Sequence, residues 1–146
     1  MTPNPQAILA DFAARLGGQI MPDLKTPYAM SSAGLMTAVL GMLAEQFDGA
    51  AANLVEENRA IRALFNEAAE LTLPGDLGAR IGQLSAGVDD DLRLSALQAA
   101  NRGLRAALID LHAWAEVEPA AKALNDAIWR ELSMSTERRR VSSAPF

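Results

Sequence analysis

The chain has 146 residues, no cysteine, one histidine and a formal net charge of −5 at neutral pH. That length suits one domain with its own core, without metal or disulfide staples. The missing cysteine excludes disulfides, thiolate catalysis and cysteine-based zinc or iron–sulfur sites. It points to a reducing, cytoplasmic setting, and the acidic balance argues against a nucleic-acid surface.

Alanine and leucine dominate a half-hydrophobic composition with two Trp, one Tyr and four Phe, which favours helix over strand. The opening "MTPNPQAILADF" lacks a basic start followed by an apolar run, so no signal peptide is expected. The spacing predicts a first helix over residues 5–23, with Leu9, Phe12, Leu16, Ile20 and Leu24 on one face despite Gly17-Gly18. Thr26 and Pro27 are a capping pair for a second helix carrying Met30, Leu35, Met36, Val39, Leu40, Leu43 and Phe47. Its apolar run, residues 33–47, is too short for a membrane span and ends in polar residues, which predicts a soluble protein. A continuous helix over 27–71 would exceed the usual globular length, so a break is expected near Asp48 and a third helix to about Leu71.

After "LTLPGD", residues 77–86 form a short fourth helix presenting Leu77, Ile81 and Leu84. The triplet Asp89-Asp90-Asp91 lacks calcium-loop spacing and most simply caps a fifth helix over 90–117. A sixth covers 119–136, with Leu124, Ala127, Ile128 and Leu132 inward, and "RRRVSSAPF" reads as an extended tail.

Two segments echo each other. "ENRAIRALF" carries Asn58, Arg59, Arg62 and Ala63; "ANRGLRAAL" repeats them as Asn101, Arg102, Arg105 and Ala106. Both asparagines fall in otherwise apolar seams, Leu54, Asn58, Ile61, Phe65, Ala68 and Leu94, Leu97, Asn101, Leu104, Leu108, Leu111, Ala115. A polar seam residue costs stability but fixes register, and two asparagines facing each other satisfy both. The expectation is a register lock between neighbouring helices. Arg62 and Arg105 have no acid three or four residues away on their own helices. They pair with acids of other helices, reach solvent, or hold a carboxylate or phosphate ligand.

Other chemistry is thin. His112 with Glu116 supplies at most two metal ligands, no Glu-x-x-His occurs, and a surface histidine paired with Glu116 is the simpler reading. There is no Gly-x-Ser-x-Gly elbow or phosphate-binding glycine loop. No cofactor, metal site or catalytic residue is expected. Met21, Met30, Met36 and Met42 are core filler or an adaptable binding surface. A second helix apolar over much of its circumference is either central in the bundle or covers a partner, which suggests homodimerisation. The tail residues Arg138, Arg139, Arg140 and Phe146 are either a frayed end or a motif for an acidic, aromatic-accepting partner.

The sequence therefore predicts an all-α, mostly antiparallel bundle of five to six helices without a β-sheet, spanning 1–137, with a basic extended tail over 138–146. The layout resembles that of small helical bacterial proteins, and no motif is specific to a family. The leading functional expectation is a non-catalytic interaction or regulatory module, dimeric, cytoplasmic, binding neither nucleic acid nor membrane. The alternative is a binder of an anionic metabolite, or an enzyme, with a site between helices clamped by Arg62 and Arg105 beside Asn58 and Asn101.

Overall fold

The computed structural model describes residues 4–141. Among them there are five α-helices and no strand: α1 Pro5–Arg15, α2 Pro27–Ala68, α3 Gly75–Ser85, α4 Leu94–Val117 and α5 Lys122–Arg138. Residues 51–139 form one compact unit, and residues 4–50 with 140 and 141 form another.

In the first unit, Asn4 caps α1 by accepting the Ala7 amide at 3.3 Å, ahead of Pro5 at the first helical position. The helical stretch reaches residue 23, as the periodicity implies, but its winding changes. A π-helical turn, Leu16–Ile20, and a 3-10 turn, Met21–Asp23, follow α1. Gly17, inside the π-helical turn, lies close against α2: a Cβ there would stand 3.1 Å from Thr37 Cγ2, so a larger residue would have to displace the Thr37 side chain. The predicted cap of the next helix is present, with Thr26 Oγ1 accepting the Ala29 amide at 3.2 Å.

Two expectations fail here. The break at Asp48 does not occur, and α2 runs unbroken for 42 residues, which reduces six helices to five. One glycine costs a helix about 1 kcal/mol, and Gly49 is followed directly by Ala50, Ala51 and Ala52, the strongest helix formers. Much of the apolar surface of this unit faces outward, the second of the two placements that the sequence allows for the helix after Thr26. Phe12 and Ile20 are more than half exposed, and so are Leu35, Met36 and Phe47; only Ala33 and Ala44 are buried among residues 4–50. Because α2 is continuous, it is also long and apolar enough to cross a membrane by length and composition, which corrects the reading of residues 33–47 as too short.

The second unit holds the core. Ile61, Leu64, Phe65 and Ala68 of α2 pack with Leu77 and Ile81 of α3, with Leu104, Ala107, Leu108, Leu111 and Ala115 of α4, and with Leu124, Ala127 and Ile128 of α5. Most of the seam positions that the spacing identifies are among them; Leu97 is buried as well, while Leu54 is only half-buried and Leu94 is exposed. α4 begins four residues later than expected. Asp89 is engaged by Arg62, Asp91 pairs with Arg93, and Arg93 at the cap position makes no side-chain capping bond.

Candidate functional site

The echoed motif sits at the centre of a buried polar network in the second unit. Asn58 is fully buried and Asn101 nearly so, and Asn101 Nδ2 donates to Asn58 Oδ1 at 2.9 Å. The bond between the two asparagines expected from the sequence is present. Asn58 Nδ2 in turn donates to both carboxylate oxygens of Asp89 at 3.2 Å. Arg62, one turn along α2, grips the same carboxylate with both terminal nitrogens, at 2.8 and 2.9 Å. The side chains of Arg62 and Asp89 are only 14% and 7% exposed. Hydrogen bonding by Arg62 holds the Asp89 carboxyl below its ordinary value; burial opposes this, and Asn58 and the Arg62 charge add to it. Gly87 closes the site, since a Cβ there would meet the Leu84 carbonyl at 3.3 Å and lie 3.7 Å from the Arg62 guanidinium.

Asp89 therefore does not cap α4. A helix N-terminus offers it partial charge, whereas Arg62 offers a full charge in fork geometry. Asp91 accepts the Arg93 amide at 3.0 Å and pairs with the Arg93 side chain.

A second network adjoins the first through Glu57, the residue before Asn58. Glu57 is buried and accepts from Arg105 Nη1 at 2.8 Å and, through its other oxygen, from Arg139. Glu131, also buried, pairs with Arg138, and the Arg138 carbonyl accepts from Asn53 Nδ2 at 3.1 Å. Burial raises the Glu131 carboxyl above its ordinary value, with the Glu57 charge adding to the effect and Arg138 opposing it.

The structure thus places Arg62 and Arg105 against acids distant in sequence, Asp89 and Glu57. Arg138 belongs to the end of α5 and Arg139 closes it, so both belong to the helical end and not to an extended tail. Arg140 is also engaged, and Phe146 lies outside the described residues. The residues that sequence reasoning missed are Glu57, Asp89 and Glu131. Only Glu131 carries a signal in the pattern: it continues the spacing of Leu124 and Ile128, an acid where an apolar residue is due.

His112 is half-buried, and Glu116 stands beside it as expected, at ion-pair range. The His112 side chain is 18% exposed, its ring meets Trp129 edge-on at 5.0 Å, and Nε2 lies 3.6 Å from Glu116, beyond hydrogen-bond reach. No group of three or more His, Asp or Glu among the described residues is placed to hold a metal ion. An open depression on α5, lined by Ser133, Met134, Thr136, Glu137 and Arg138, includes neither Arg62 nor Arg105.

The asparagine pair gives a direct test. Asn101→Ala leaves the buried Asn58 carbonyl oxygen without its donor and is expected to cost about 1–3 kcal/mol. Tryptophan fluorescence during urea unfolding measures it, because Trp114 and Trp129 both lie in the second unit. A cost near zero would mean that water replaces the Asn101 amide.

Comparison with models of protein families, with curated proteins and with solved structures finds no match to this chain.

Proposed function

We propose that this chain is a non-catalytic interaction or regulatory module of the cytoplasm, acting through the apolar surface of residues 4–50. The observation that carries the reading is the outward placement of that unit's large side chains, among them Phe12, Tyr28, Leu35, Met36 and Phe47. Exposed apolar surface on this scale marks an interaction site. The second unit is the scaffold, a mostly antiparallel bundle. That arrangement is supported by the cross-links: Asn101 meets Asn58, and one turn later on α4 Arg105 reaches back to Glu57.

The rival reading, an anion site clamped by Arg62 and Arg105, has less support because each arginine already binds a carboxylate. The C-terminal arginines likewise recommend themselves less as a docking motif, since Arg138 and Arg139 hold Glu131 and Glu57. Without a basic face, a nucleic-acid partner is not part of this reading.

Thermal unfolding against phosphorylated, carboxylated and acyl-CoA-type metabolites separates the two. The expected result is no ligand-dependent rise in Tm for the wild type, and a lower Tm for Arg62→Ala/Arg105→Ala without ligand. A rise in the wild type that disappears in the double variant would replace the proposal with an anion-binding site.

A further inference from the structure

We propose that the apolar surface of residues 4–50 is closed by the same surface of a second copy of this chain, the two helical hairpins together making a four-helix bundle. This rests on the interaction-module reading above and names its partner.

The hairpin consists of the helical stretch from Pro5 to Asp23 and the start of α2, connected through residues 24–26. Gly17 packs tightly against Thr37, and Met21 Sδ lies at ordinary contact distance, 4.0 Å, from a Cβ built on Gly34. What such a hairpin lacks is a core. Its two buried side chains are alanines, and short isolated helices are marginal in water unless an apolar face is packed. The missing packing is present on the outside. Tyr28, Leu35, Met36, Val39, Leu43 and Phe47 follow one another at helical spacing within a band about 120° wide, the width of a core-facing stripe. These six residues expose on the order of 700 Å², close to the ~800 Å² that each partner contributes to a standard stable interface.

Charge narrows the choice of occupant. From residue 26 to residue 44 the sequence has no charged side chain, and from residue 26 to residue 58 it has no Lys or Arg. Helices that lie on bilayers carry a basic polar face and bind anionic lipid through it. Here the charged positions that follow the apolar segment, up to Asn58, are all acidic: Glu45, Asp48, Glu56 and Glu57. An acidic or basic peptide would likewise find no counter-charge on the stripe. A second copy needs none, because an interface about a two-fold axis joins one patch to itself, and bundling two hairpins gives each apolar stripe a facing stripe to pack against.

The test is the mass of the full chain by light scattering across a concentration series. A dimer is expected for the wild type and a monomer for Leu35→Glu/Leu43→Glu, with the tryptophan-reported unfolding of residues 51–139 retained. A milder variant, Leu35→Ala/Leu43→Ala, is expected to raise the dimer dissociation constant roughly tenfold or more. A dimer indifferent to both variants overturns the proposal. So does a monomeric wild type that sediments with phosphatidylcholine or phosphatidylglycerol vesicles through Leu35 and Leu43, although the apolar face would then still be an interaction surface. A monomeric wild type that binds no vesicle, and whose variants are silent, overturns this proposal and the interaction-module reading together.

Discussion

Asp89→Ala is expected to lower the stability of the 51–139 unit by about 3–5 kcal/mol, the usual cost of removing one partner of a buried ion pair. That is a large part of the ~5–15 kcal/mol that holds a typical domain together. The cost arises from what remains. Arg62 keeps a charge that is only 14% exposed, its Nε already has no partner, and Asn58 loses both acceptors of its Nδ2. Urea unfolding followed by tryptophan fluorescence measures the effect. Removing both partners, in Arg62→Ala/Asp89→Ala, should cost less than the two single changes added together. A loss below about 1 kcal/mol would mean that the pair behaves as a screened surface bridge.

The same carboxylate sets an acid limit. Its pKa is lower in the folded chain than in the unfolded one, so its stabilisation is complete above the ordinary aspartate range and is lost as pH falls through the depressed folded value. Glu131 has the opposite sign. Its raised pKa contributes stability below the ordinary glutamate range, and that contribution is lost as pH rises through the folded value. In Asp89→Ala, the part of the acid-induced loss that belongs to Asp89 should be absent.

Phe65→Ala is expected to cost about 3–5 kcal/mol, as for other fully buried aromatic residues. Phe65 has no exposed surface and shares its core with side chains of all four helices that cross the unit, among them Ile81, Leu108 and Ile128. Walls built from several elements cannot all relax into one void, so most of the cavity should persist. Phe65→Leu, which retains much of the volume, should lose less than half as much. Equal losses for the two variants would show that ring-specific contacts, and not volume, hold the site.

The seams of α2 and α4 were legible because a helix buried on one side must repeat its apolar residues every three or four positions. The Asn58–Asn101 bond was legible for the same reason: two amides at positions reserved for leucine have few ways of being satisfied other than each other. Asp89 was not. Its triplet precedes a helix, where acids commonly serve the helix dipole. Nothing local announces that Arg62, 27 residues earlier, would claim it. Glu57 was hidden similarly, next to the seam and not in it.

The amino-acid sequence by itself determined that this chain is helical, which residues share a helix face, and that Asn58 and Asn101 belong in a buried seam. Those properties follow from local spacing and composition. Only the tertiary structure decided where each face points and which charges meet. The stripe from Tyr28 to Phe47 has the periodicity of a core face, yet it is exposed, because periodicity records that a face is apolar and not what will cover it. The ion pairs of Arg62, Arg105, Arg138 and Arg139 depend on distances between elements far apart in the chain, which no local pattern encodes.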